Sequence, residues 1–244
     1  MNPSTVAQHE ELRQAVARLS KARTANPSTV EFYHADGIVA LATGLVRKST
    51  NTKTGAMVQT YILRDDMPPK QAALTGADSK ICGNCPLRPS QVPKGQPKCY
   101  VNTGWLTTLW KSWRKGNVPK ATPTQLKAMI ELSGRPLRIG AYGDPGFVPV
   151  EVWDAIAGRK GTGYTHQWQS TDPGLKAHAM ASVQSIEGAM AAQAKGWRTY
   201  RVDLDGIGAM DGEIECPEAS TNGEVQCADC GLCKGTSLQA KNIY

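Results

Sequence analysis

Residues 137–168 read LRIGAYGDPGFVPVEVWDAIAGRKGTGYTHQW, and this stretch decides the fold class. Leu137–Ala141 is a short strand-forming run that breaks at the turn Gly143-Asp144-Pro145-Gly146. A helix is predicted over about 149–157, and a second strand over about 163–168. The alternation continues downstream. A loop with a short helix leads to a strand at Met180–Val183, a helix at 185–194 closed by Gly196, and a strand near Thr199–Val202. Strand and helix alternating in this way predict a parallel sheet in an α/β fold. A strand–helix unit takes roughly 30 residues, which leaves room for a partial parallel (β/α) barrel-like domain and not for eight units.

Upstream, Thr122, Pro123 and Gln125 form a capping-box start for a helix that stops at Gly134. In the segment 102–116, Trp105, Leu109 and Trp113 fall on one helical face and are expected in the core, leaving Lys111, Arg114 and Lys115 to project elsewhere. Residues 37–47 and 57–64 predict a β-hairpin with a longer basic loop. An amphipathic helix is predicted over 3–24, with Leu12, Val16 and Leu19 at helical spacing. The expected division is an N-terminal helical extension at 1–36, an α/β core at 37–204 with a cysteine loop at 82–99, and a C-terminal cysteine-rich loop region at 205–244.

The 244 residues include 28 Lys and Arg against 21 Asp and Glu, a formal charge of +7 with pI near 9.0. A basic balance favours polyanionic partners such as nucleic acid or a nucleotide. No signal-peptide pattern opens the sequence, and no apolar stretch approaches the roughly 20 residues of a membrane span. The expectation is a cytoplasmic protein, without a membrane partner. There, an odd count of seven cysteines points to metal ligation rather than disulfides.

All seven cysteines fall into two groups. Cys82, Cys85 and Cys99 are spaced C-x2-C-x13-C, and Tyr100 follows the last. Cys216, Cys227, Cys230 and Cys233 are spaced C-x10-C-x2-C-x2-C. Two-residue spacings let successive thiolates converge, and soft thiolates select zinc, copper(I) or iron–sulfur. Four thiolates close a coordination shell, whereas three leave a position open. The Gly143-Asp144-Pro145 turn lies at a predicted strand end, where α/β proteins bind ligands. Tyr164 and His166 crowd a further strand and its end.

The ordered set Cys82–Arg88 (CGNCPLR), Cys99-Tyr100, Arg138–Pro145 (RIGAYGDP), Gly163–Trp168 (GYTHQW) and Cys227–Cys233 (CADCGLC) resembles the gene-product-88 family of phage proteins over roughly residues 46–240. That resemblance implies a phage-encoded protein in the host cytoplasm, with a phage protein partner. More distantly, the motifs are similar to those of radical S-adenosylmethionine enzymes. In those enzymes three cysteines, the last followed by an aromatic residue, hold a four-iron cluster on a loop early in a partial barrel. A Gly-Gly-Glu-Pro turn after the second strand binds the methionine amine, and many members add a four-cysteine auxiliary cluster. The resemblance implies two four-iron clusters, held by Cys82, Cys85 and Cys99 and by Cys216, Cys227, Cys230 and Cys233. It also implies S-adenosylmethionine against Tyr100, Gly143, Asp144 and Pro145, a substrate near Tyr164 and His166, and an electron donor. The chain departs from that pattern: the enzymes have C-x3-C-x2-C, and their acidic turn residue is Glu, preceded by a second glycine where Tyr142 stands here.

The competing expectation is a zinc- or iron–sulfur-stabilised module without catalysis, gripping nucleic acid or a protein. Lys94, Lys98, Lys111, Arg114 and Lys115 would supply its phosphate contacts.

Overall fold

The computed structural model describes residues 28–94, 99–158, 161–236 and 242–244; the expected helix at 3–24 and Lys98 lie outside these. One nine-stranded sheet runs through the described residues in the order β1-β2-β3-β4-β5-β6-β7-β9-β8. β1 (Thr29–Ala35), β2 (Ile38–Thr43) and β3 (Val58–Arg64) are antiparallel neighbours. From β3 onward every pairing is parallel, through β4 (Leu137–Tyr142), β5 (Gly161–Thr165), β6 (Met180–Val183), β7 (Thr199–Arg201), β9 (Asn242–Ile243) and β8 (Glu213–Ile214). The expected α/β architecture with a partial parallel sheet is observed, with β1 and β8 as its open edges.

β1 lies inside the segment expected to be a helical extension. Asp36-Gly37 is the reason: both residues have positive φ (53° and 73°), the tight hairpin geometry that an Asp-Gly pair signals. The C-terminal region also differs from a loop appendage, because β8 and β9 add two strands to the sheet.

The helices are α1 (Pro69–Thr75), α2 (Ser79–Cys82), α3 (Thr103–Arg114), α4 (Pro123–Ser133), α5 (Val150–Ile156), α6 (Ile186–Ala194), α7 (Pro217–Ser220) and α8 (Cys227–Cys230). α4 carries the anticipated capping box and ends on Gly134 in the left-handed region. Ser185 caps α6 by accepting from the Gly188 amide. In α3 the buried face is Leu106 and Trp113 rather than Trp105, Leu109 and Trp113, and Trp105 is 48% exposed. An α-helix advances 100° per residue, so a face drawn through i, i+4 and i+8 drifts, and Leu106 at i−7 from Trp113 shares its side.

The parallel strands are two-faced. Leu137, Ile139, Ala181 and Val183 join the main core, which includes Trp153, Ile156 and Ala189 of the covering helices. The alternate residues Arg138, Tyr142, Thr162, Tyr164, Ser182 and Tyr200 line a cavity on the opposite face. No helix among the described residues is long and apolar enough to cross a membrane.

Candidate functional site

The three-cysteine loop follows β3, the first of the parallel strands, and is tied down at several points. Cys82 ends α2, and Gly83 adopts φ 54°, ψ −128°. A Cβ there would sit 2.4 Å from the Gln167 side-chain oxygen, while Gln167 Nε2 donates to the Cys82 carbonyl at 3.1 Å. Arg88 Nε donates to Asp78 Oδ1 at 2.9 Å, and its other nitrogens donate to the Gly83 carbonyl at 2.9 Å and the Gly76 carbonyl at 2.6 Å. Both members of this ion pair are buried, at 7% and 2% exposure. Burial raises the Asp78 pKa, and Arg88 draws it back. The Asp144 amide donates to the Ile81 carbonyl at 2.6 Å, joining the loop to the turn after β4.

Cys82, Cys85, Cys99, Tyr142, Asp144 and His166 all open onto one cavity of about 210 Å³, which runs along this face of the parallel strands to their carboxyl ends. All seven cysteines are free thiols. Burial holds Cys82 well above its ordinary pKa, with Asp78, Cys85 and Cys99 adding to the effect; burial likewise pushes Cys85 up to about 11 and raises Cys99. Among the described residues no set of three His, Cys, Asp or Glu side chains converges on a position for a single metal ion.

The cavity's polar groups have specific partners. Asp144 Oδ1 accepts from Thr165 Oγ1 at 2.7 Å and from the Gly146 amide at 2.9 Å, and Oδ2 accepts from the His166 amide at 2.7 Å. Burial nevertheless raises the Asp144 pKa to about 6. This carboxylate therefore clamps the β4 turn to the end of β5, a role its sequence position alone does not reveal. Gly143 has φ 75° and lies against the Ile62 backbone; Pro145 opens a single 3₁₀ turn. Burial lowers the His166 pKa to about 4, so its imidazole is neutral near pH 7. Tyr100 is 72% exposed at the cavity's edge.

Tyr164 and Tyr200 connect the cavity to the second cysteine group. Their rings meet edge-on at 4.9 Å, and both side chains pack against the cluster that holds Cys216 and Cys233. Tyr164 is thus turned toward the four-cysteine region. There, Cys216 and Cys233 are buried with Met180, Leu232 and Ile243. Burial pushes the Cys233 thiol up to about 12 and raises Cys227. Of this group Cys227 reaches the cavity. The expected basic hairpin loop closes over it: the Cys227 and Ala228 amides donate to the Lys53 and Thr54 carbonyls at 3.2 and 3.0 Å, and Lys53 pairs with Glu218 at 2.8 Å.

The thiol donors fit a soft metal centre, zinc or iron–sulfur, on chemical grounds. Buried thiols that raise one another's pKa ionise readily only beside a positive centre. The Tyr142 hydroxyl, buried beside Cys82 and Cys99, has no hydrogen-bond partner among the described residues, and a sulfur-rich anionic group would supply an acceptor. The other histidines among the described residues are engaged elsewhere: His34 with Asp65 at 3.0 Å and His178 with Asp154 at 2.6 Å.

Three residues escape sequence reasoning. Asp78 supports the loop from before its first cysteine, Tyr142 lines the cavity, and Arg138 is buried at its wall. Arg138 did carry a signal, since a charged residue inside an apolar strand marks the face that is not core. Comparison with protein-family models, curated proteins and solved structures finds no match to this chain.

Proposed function

We propose that this chain is an iron–sulfur protein of the radical S-adenosylmethionine type, the reading implied by its more distant similarity to those enzymes. The observation that carries it is the opening of Cys82, Cys85, Cys99, Asp144 and His166 onto one cavity that reaches the carboxyl ends of parallel strands. The order of parts supports it as well: the three-cysteine loop follows the first parallel strand, and Gly143-Asp144-Pro145 follows the second. When bound, a four-iron cluster supplies the electron for reductive cleavage of S-adenosylmethionine. Cys82, Cys85 and Cys99 would hold it; Cys216, Cys227, Cys230 and Cys233 would hold a second group. Around them the chain's own residues exclude water and fix orientation. Gly143 lets the backbone approach closely, the Asp144 clamp holds the His166 amide and the β4 turn in register, and neutral His166 can take or hold a proton at its imidazole.

One observation favours the second reading, a metal-stabilised binding module without catalysis. Both oxygens of Asp144 already accept hydrogen bonds from its own chain, which weakens it as an acceptor for a cofactor amine. Anaerobic purification followed by iron, sulfide and zinc analysis and a visible spectrum separates the two. About eight iron and eight sulfide per chain, with S-adenosylmethionine cleaved under reduction, is expected. A colourless zinc protein would end the catalytic reading.

A further inference from the structure

A second cleft, of about 630 Å³, adjoins the cavity and shares Tyr100 and Arg138 with it. Among the described residues no Asp or Glu lines it. On one side stand Arg47 and Lys48, both exposed and without an ion-pair partner among the described residues. On the other stands Trp105 at the start of α3, its ring 5.2 Å from Tyr61. Arg138 lies at the junction, only 7% exposed. Among the described residues its guanidinium makes one hydrogen bond, to the Tyr100 hydroxyl at 2.6 Å, and meets no carboxylate. A guanidinium withdrawn from water without a counter-charge is costly, so this one is built to meet an anion.

Cations interleaved with exposed aromatic faces match a chain of phosphates and bases. We propose that this cleft binds a single strand of nucleic acid. Arg138 takes a phosphate at the junction, Trp105 and Tyr100 stack bases, and Arg47 and Lys48 hold the flanking backbone. A duplex hides the faces that the aromatic rings need, which selects an unpaired strand. Delivery of a nucleotide from the cleft into the cavity rests on the catalytic reading above; the binding itself does not.

The test is fluorescence anisotropy of a short labelled single-stranded oligonucleotide across a salt series, with iron and zinc measured on the same samples. Trp105→Ala should weaken binding roughly five- to hundredfold. The exposed double variant Arg47→Gln/Lys48→Gln should reduce the salt slope by about 1 to 1.5, whereas Lys70→Gln/Lys127→Gln, outside the cleft, should leave both unchanged. Arg138→Gln should weaken binding if it folds, and the surface variants decide the matter if it does not. Equal affinity for the annealed duplex, insensitivity to both cleft variants, or displacement by a mononucleotide at equal nucleotide concentration would each overturn the proposal. Strand binding by a protein that holds zinc would sink the catalytic reading alone, and an iron-loaded protein without strand affinity would sink this inference alone.

Discussion

Single residues in this site are constrained by backbone geometry as much as by chemistry. Gly143 has φ 75°, and a Cβ there would lie 2.5 Å from the Ile62 carbonyl oxygen, a backbone atom that cannot swing aside. Left-handed strain alone costs roughly 1–2 kcal/mol for an L-residue. Gly143→Ala should therefore lose more than about 2 kcal/mol in urea unfolding, and a loss below about 0.5 kcal/mol would refute the close approach. His166 makes a pH prediction. Its folded pKa, about 4, lies below the ordinary value of 6.5, so the unfolded chain binds the proton more tightly. Its contribution to stability is complete above pH 6.5 and disappears as pH falls from 6.5 to 4. Wild type should lose about 1–2 kcal/mol more than His166→Gln between pH 7 and pH 5 in parallel denaturant titrations. Equal losses would mean that the imidazole is solvated.

At the scale of elements, the three-cysteine loop depends on a buried ion pair that contains no cysteine. Arg88 donates to Asp78 and to two loop carbonyls. Replacing it with Leu leaves the Asp78 carboxylate buried and unpaired and three acceptors unmet, a loss of about 3–5 kcal/mol. Arg88→Leu should destabilise the protein and also lower its metal content, as Cys85→Ala does. Cys230→Ala should lower metal content from the other group. Unchanged stoichiometry in both cysteine variants, by elemental analysis of anaerobic protein, would dispose of the ligand assignment. Much of this level was readable beforehand. Capping residues, breakers and strand–helix alternation are local signals, and α4, β6 and α6 fall where those signals put them. β1 is the exception: it falls in the segment expected to be helical, although its Asp36-Gly37 turn is an equally local signal.

Across the whole molecule, the four-cysteine segment links distant parts. It bonds to the β2–β3 loop through the Cys227 and Ala228 amides and to β5 through the Cys233 carbonyl, which accepts from the Gly163 amide at 3.1 Å, and it packs against Tyr200 of β7. Few apolar side chains anchor it, so bound metal should contribute much of its order. Treating the purified protein with a chelator under reducing conditions should lower Tm and expose residues 205–236 to protease before the core. Identical melting curves and cleavage patterns with and without chelator would show that the segment stands on its own packing. In the Lys53–Glu218 pair the lysine side chain is 49% exposed and the glutamate 14%, and Lys53→Ala should cost about 1 kcal/mol.

The sequence by itself determined the class of fold, the hairpin, the two cysteine groups and the glycine turn at a strand end. Each of these is written in neighbouring residues or in short, repeated spacings. It did not determine that Cys227 would share a cavity with Cys82, Cys85 and Cys99, or that Tyr164 would turn toward Cys233. Nor did it reveal that Asp144 would be occupied by Thr165 and His166, or that Arg138 would be buried between two clefts. Those facts depend on strand register and on which side of the sheet each residue faces. A shift of one residue reverses that facing, and contacts between positions far apart in the chain set the register.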